Sequence, residues 1–295
     1  MKMDPFIEAE EATGHSVKHC CDMFEVSKSA YYERKKDLLS AREVSDAELL
    51  EKIIAIHKES KGTYGAPRVH KELLHRHVAC GKRKVTRLMR QAGLEGRCKQ
   101  RWRKTTVADP DAEAARDLIQ RHFGPCTELD RRYVGDITYI STWEGWAYLA
   151  TVIDLASRRV VGWALADHMR TELVEDALTM AFANRAPDKG VIFHSDRGCQ
   201  YTSHDFAKLA RDNGVVLSVG RKGECWDNAV AESFFATLKR ELIDMRSWPT
   251  RTGLRRGVFE YIEGWYNTRR LHSTLGYVSP AQYEAVHHNA DRLAA

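Results

Sequence analysis

Nowhere in its 295 residues does the chain offer an apolar run near the roughly 18 consecutive positions that a membrane-spanning helix needs. A basic-then-apolar leader is also missing: the first eleven residues carry four acids, Asp4, Glu8, Glu10 and Glu11. Nothing directs export, and a cytoplasmic protein with no membrane partner is expected. Cysteine is sparse and scattered, at positions 20, 21, 80, 98, 126, 199 and 225, odd in number and never spaced C-x-x-C. That pattern excludes the disulfide framework of a small secreted domain. His15, His19, Cys20 and Cys21 lie close together, but no downstream cysteine pair completes a four-ligand zinc site, so they are expected to be ordinary helix residues and free thiols. No sustained heptad is present either, which leaves the chain without a coiled coil of its own.

What is present is a globular composition, 43% hydrophobic and 29% charged, with length enough for about two domains. The net charge of +5 hides a strong asymmetry. Residues 1–60 hold 9 basic and 13 acidic groups, residues 61–108 hold 14 and 2, and the remainder hold 23 and 26. A block carrying +12 between two mildly acidic flanks is the electrostatic footprint of a polyanion partner.

Periodicity inside that block predicts two helices. Pro67–Arg76 places Val69, Leu73 and Leu74 inward; the segment HVACG interrupts; Lys82–Ala92 resumes with Val85, Leu88 and Met89 on one face and Gly93 as the stop. This is a helix-turn-helix layout whose second helix presents Lys82, Arg83, Arg87 and Arg90, as a helix lying in a DNA groove beside phosphates requires. Arg97, Lys99, Arg101, Arg103 and Lys104 form a basic strap around Trp102. A weaker echo of the layout lies at Cys20–Lys36, and Glu43–Glu59 reads as a helix with Leu49, Ile53 and Ile56 together. Asp109-Pro110-Asp111 breaks the chain before the next part.

From Thr127 the period changes. Arg132–Ile140, Trp146–Asp154 and Arg159–Asp167, rich in Val, Ile, Tyr, Trp and Thr, predict an antiparallel meander. Helix Thr171–Asn184, strand Val191–His194, helix His204–Asn213, strand Val215–Val219 and helix Asp227–Leu242 follow. The expected fold class is α/β, a mixed sheet of ribonuclease H type preceded by an all-α helix-turn-helix region.

Three acids fall at telling places on this layout. Asp136 sits inside the first strand, where Asp is disfavoured and needs a cation or a hydrogen-bond network if buried. Asp196 follows the fourth strand, where ligand sites of α/β sheets gather, although a turn-capping role is the plainer reading. Glu232 lies on the last helix, 36 positions after Asp196, in one stripe with Asn228 and Lys239 and apart from the apolar side formed by Ala231, Phe234, Phe235, Leu238 and Leu242. From the wheel alone a surface pairing is as good a reading.

The words around them, GDITYI, HSDRGCQY, DNAVAESFFATLKREL and WYNTRRLHSTLGYVSPAQY, resemble insertion-sequence transposases with a DDE triad. The likeness is to the second-reading-frame (OrfB) product of the IS-three family, related in its core to retroviral integrases. YGAPRVHKELL, VTRLMRQAGL and SKSAYYERKK extend it over nearly the whole chain. Gly135, Cys199 and Cys225-Trp226 depart from residues common in that group and make substrate contacts near Cys199 and Trp226 less defined. The resemblance implies five parts: a helical segment 1–60, a basic helix-turn-helix region 61–108, a linker 109–126, an integrase catalytic core 127–245 and a helical extension 246–295.

It further implies that Asp136, Asp196 and Glu232 are catalytic and hold Mg²⁺ or Mn²⁺, two ions in all. Lys239 is implied to contact the DNA terminus, with Asn228 and His194 orienting substrate. The implied activity is cleavage at the element's ends and transfer of the freed 3′-hydroxyl. Implied partners are the terminal inverted repeats, target DNA, further copies of the chain, and an upstream-frame (OrfA) product or its frameshift fusion. A ribonuclease H-like nuclease that does not join, or an inactive relative that only binds, are the alternatives.

Overall fold

The computed structural model describes residues 3–35, 40–97, 128–196, 198–219 and 229–294. Three short helices open it, α1 (Asp4–Ala12), α2 (Val17–Met23) and α3 (Lys28–Lys35), packed around Ile7, Cys20, Cys21 and Tyr31. Helix α4 (Ala41–Glu59) starts in a capping box, in which Ser40 Oγ accepts from the Glu43 N–H and Glu43 Oε2 accepts from the Ser40 N–H. Helix α5 (Ala66–His75) carries Pro67 in its first turn, where the missing N–H costs no helical bond. Helix α6 (Lys82–Gln91) ends at Gly93, whose φ of +64° is the left-handed conformation that terminates helices.

Leu49, Ile53 and Ile56 of α4, Val69 and Leu73 of α5, and Val85, Leu88 and Met89 of α6 make one core. Leu74 departs from the expectation, being 40% exposed. Val69 and Leu73, four apart, share the buried face, whereas Leu74 is rotated about 100° from Leu73 and leaves it.

The second body is built on a five-stranded sheet in the order β3-β2-β1-β4-β5. Strands β1 (Arg132–Thr142), β2 (Gly145–Asp154) and β3 (Val160–Ala166) form the antiparallel meander. Helix α7 (Thr171–Arg185) crosses to β4 (Ile192–Ser195), parallel to β1, and α8 (His204–Asp212) crosses to β5 (Val216–Val219), parallel to β4. Helix α9 (Ala229–Glu241) follows. Side chains alternate between the two faces as the strand period demands. Val134, Ile140 and Leu149 pack with Phe234, Phe235 and Leu238 of α9 on one side; Tyr133, Ala150 and Val152 pack with α7 and α8 on the other.

The C-terminal part is helical, as expected. Helix α10 (Arg251–Tyr261) continues into a π-helical turn, Ile262–Tyr266, and α11 (Pro280–Ala294) closes the chain. Asn267, fully buried, accepts from the Val160 N–H (3.0 Å) and donates to the Val160 carbonyl (2.9 Å), so its amide covers the outer edge of β3 as a neighbouring strand would. The helix-turn-helix body docks on the same stretch. Tyr64 Oη accepts from the Leu271 N–H (2.8 Å) and Arg68 Nε donates to the Leu271 carbonyl (3.1 Å), while Leu271 enters the core of α4, α5 and α6.

Candidate active site

Strand register brings the first two carboxylates together. Val134 pairs with His194 as the last couple of the parallel β1·β4 ladder, and Asp136 and Asp196 each lie two residues further along. Adjacent strands are about 4.8 Å apart, so the two aspartates stand side by side where β4 ends and β1 continues. Asp136 is partly buried and Asp196 exposed. Asp136 Oδ1 accepts from the Ile137 N–H at 2.8 Å, and Asp196 Oδ1 accepts from the Gly198 N–H at 3.0 Å, the side-chain turn expected of an Asp at that position.

Glu232 approaches from the first turn of α9. Ala231, Phe234, Phe235 and Leu238 bury that helix against the sheet, which leaves Glu232 exposed. Its charge reaches Asp136. Burial pushes the Asp136 carboxyl up, the Ile137 amide opposes this, and the charges of Asp196 and Glu232 add to the rise, which takes it to about 7. Tyr201, fully packed between Phe193 and Phe206, lies in the same field; burial first and then Asp136 and Asp196 push its phenol far above the usual range, so it stays protonated.

The charges of Asp196 and Glu232 both act on Asp136, yet no three His, Cys, Asp or Glu side chains among the described residues are grouped closely enough to hold a metal ion as they stand. The donor set itself fits a hard divalent cation: it is all oxygen and anionic, and Asp136, pushed up first by burial and then by the charges of Asp196 and Glu232, is a carboxylate that a cation would hold ionised.

Lys239, two turns beyond Glu232, places Nζ 5.3 Å from the centroid of the Tyr139 ring. His194 is fully buried, with Nδ1 2.9 Å from Ser218 Oγ on β5, so it ties two strands together. Asn228, the strap around Trp102 from residue 98 on, the linker 109–126 and Cys225-Trp226 lie outside the described residues. Tyr201 and Tyr139 were not singled out by sequence reasoning. Both sit in the words that carry the carboxylates, which was the available signal.

On α6, Lys82, Arg83 and Arg90 are exposed and line an open depression with Thr86 and Gln91. Arg87 also lines it but is half-buried, with Nη2 2.6 Å from Asp46 Oδ2, while Lys84 holds the other oxygen of Asp46 at 2.9 Å. Part of the basic face is thus engaged in holding α4 to α6.

Comparison with known proteins decides the family. Residues 127–225 match an integrase core domain, residues 213–280 a further integrase core domain model, and residues 44–102 an HTH-like domain. Over 284 residues the chain is 36% identical to the transposase InsF of insertion sequence IS3A from Escherichia coli K12, covering 95% of this chain and 97% of that one. The chain belongs to the insertion-sequence transposases of the IS3 family. The transposase is also 38% identical over 245 residues to that of element IS904 from Lactococcus lactis (83% of this chain, 96% of the other). It is 36% identical over 268 residues to an uncharacterized 31 kDa protein of insertion element IS600 from Shigella sonnei (91% and 98%). Likeness to solved structures is weaker: 14% identity and a TM-score of 0.40 to the HTLV-2 integrase catalytic core domain, over 52% of this chain and 96% of that one. As a transposase with an integrase core the protein is a polynucleotidyl transferase that acts on DNA. Among the described residues no helix is long and apolar enough to cross a membrane.

Proposed function

We propose that Asp136, Asp196 and Glu232 form the reaction centre and together hold two divalent cations, Mg²⁺ or Mn²⁺. The observation that carries this reading is convergence: strand register sets Asp136 beside Asp196, and the charges of Asp196 and Glu232, 60 and 96 positions away in sequence, add to the rise that burial gives the Asp136 carboxyl. Bound there, the cations would activate the attacking oxygen and stabilise the leaving one in an in-line displacement at phosphorus.

The chain's own groups supply the rest. Asp136 is fixed by strand pairing with Thr151 and by the Ile137 amide, so its position is set by the sheet. Asp196 is oriented by its turn to Gly198. Glu232 rides on a helix anchored by four buried apolar side chains, and its approach fixes how closely the three acids gather. Lys239 lies along the same helix, placed to hold a phosphate of the strand being cut. The nucleophile is first water, which frees a 3′-hydroxyl at the element's end, and then that hydroxyl, which attacks a second phosphodiester.

Lys82, Arg83, Arg87 and Arg90 position duplex DNA through its phosphates, with Asn228 as a further contact near Glu232. The substrates are the terminal inverted repeats and target DNA. End recognition is shared with an upstream-frame product or a fusion to it, and several copies assemble on DNA in the cytoplasm. The five-part division given above, with the catalytic core at 127–245, is the domain plan of this reading.

Purified Asp136→Asn, Asp196→Asn and Glu232→Gln proteins should bind an element-end duplex within about threefold of wild type yet show no nicking or joining of labelled ends in Mg²⁺. Near-normal strand transfer by any one of them would falsify the triad.

A further inference from the structure

We propose that Tyr139 and Trp146 form a stacking platform for an unpaired base of the DNA strand entering the carboxylate cluster. The two rings meet edge to face, with centroids 5.2 Å apart and planes at 87°, yet Tyr139 is 60% exposed and Trp146 51%. Trp143, in the turn between them, is 76% exposed. Three large aromatics within eight positions left in water are not explained by the packing of this domain, and such patches mark contact surfaces.

The hairpin tip that carries them is held fast. Trp143 N–H donates to the Trp248 carbonyl (3.0 Å), Glu144 Oε2 accepts from the Arg251 N–H (2.7 Å), and Arg251 Nε donates to the Trp146 carbonyl (3.1 Å). The rings are therefore presented on a rigid support, and little ordering entropy is lost when a flat ligand lands on them.

Position and charge select nucleic acid as the occupant. Tyr139 is three residues beyond Asp136 on β1, about 10 Å at strand rise. Lys239 is seven residues beyond Glu232 on α9, about 10.5 Å at helical rise. Tyr139 projects from the face of β1 opposite Asp136, and Lys239 of α9 comes within 5.3 Å of its ring centroid, so a strand leaving the acids would pass the edge of β1 beyond its pairing with β4 to reach the platform. Ten ångströms is about three nucleotide steps of stacked strand. A phosphate on Lys239 would thus bring a nearby base over the aromatic pair, and every base offers a π-face. Duplex DNA hides those faces; a frayed or cut end exposes them. The assignment of DNA as ligand rests on the proposed role of the carboxylates, but stacking itself needs neither metal nor cleavage.

The test uses the full chain in EDTA and two labelled oligomers of about 16 nucleotides, one oligothymidine and one with an abasic backbone, read by fluorescence anisotropy. Wild type should prefer the oligomer with bases by about tenfold. Tyr139→Ala and Trp146→Ala should each bring that ratio close to one while leaving affinity for the abasic oligomer unchanged, and Tyr139→Phe should retain the preference. Unchanged melting curves guard against misfolding. The proposal is overturned if wild type shows no preference for bases, or if the variants keep it. Sedimentation provides a third outcome: variants that lose self-association but keep the ratio assign the surface to a second copy of the chain. Stacking in a chain that cannot cut DNA in Mg²⁺ even when joined by the upstream-frame product would remove the catalytic reading and leave the platform standing.

Discussion

Gly135 leaves a space that Phe193 fills. A Cβ at this position would lie 2.2 Å from Cζ of the Phe193 ring, so the phenylalanine beneath the strand that carries Asp136 occupies the room a larger residue would need. Gly135→Ala should destabilise the protein by about 1–3 kcal/mol through overpacking, and Phe193→Leu in the same chain should recover part of that loss in thermal unfolding. Asp136 itself has a pH signature. Its carboxyl is raised to about 7, whereas the unfolded chain releases that proton near 4. The native state therefore binds the extra proton between those values, and stability falls as pH rises through about 7. Above it, the charged group costs on the order of 4 kcal/mol. In EDTA, Asp136→Asn should raise the melting temperature at pH 8 and change it little at pH 4; a stabilisation equal at both pH values would mean that burial of charge is not the cause.

Among the elements, α9 links the site to the rest of the chain. One end carries Glu232. At the other, Glu241 is buried and receives Arg270 Nη2 on Oε1 (2.8 Å), Arg270 Nε on Oε2 (2.9 Å) and the Tyr261 hydroxyl on Oε2 (3.0 Å). Burial pushes the Glu241 carboxyl up, but the Arg270 guanidinium outweighs it and holds it below the usual range. Arg270→Met should cost about 3–5 kcal/mol in denaturant unfolding at neutral pH, because an unpaired carboxylate is left inside. The loss should shrink as pH falls and Glu241 takes up a proton.

The word WYNTRRLHSTLGYVSPAQY, which carries family resemblance, is for the most part structural. Tyr266 packs on Phe234, Asn267 covers β3, Arg270 pairs with Glu241 and Leu271 receives the helix-turn-helix body. Among the described residues, sequence periodicity located every strand and most helix ends within a few residues, since alternation and the 3.6-residue repeat are local properties. It could not see that Asn267 acts on a strand 107 positions away, because a lone Asn has no period.

At the scale of the whole molecule, the helix-turn-helix body is joined to the integrase core through Tyr64, Arg68 and Leu271, and Arg97 Nη1 also donates to the Arg240 carbonyl near the end of α9 (3.3 Å). The basic surface proposed to hold phosphates and the helix that carries Glu232 are thereby held in one framework. Lys82→Ala, Arg83→Ala and Arg90→Ala should each lower the slope of log affinity against log salt by about 0.9 for duplex DNA. Arg87→Ala should also lower thermal stability, since it removes a partner of Asp46; a change in slope alone would mean that the Asp46 bridge contributes nothing.

The sequence by itself determined the kind of chemistry: three acids in strand, strand-end and helix contexts, a basic block to meet DNA, and words long enough to name a family. It did so because residue type, period and charge are properties of neighbours along the chain. Only the tertiary structure decided that Asp136 and Asp196 lie in one row, that Glu232 adds its charge to theirs, that His194 is buried, that Arg87 is partly engaged, and that Tyr139 and Trp146 stand exposed beside Lys239. Each of these depends on pairing between distant segments, where burial and the field of remote charges are set by packing and by no local pattern.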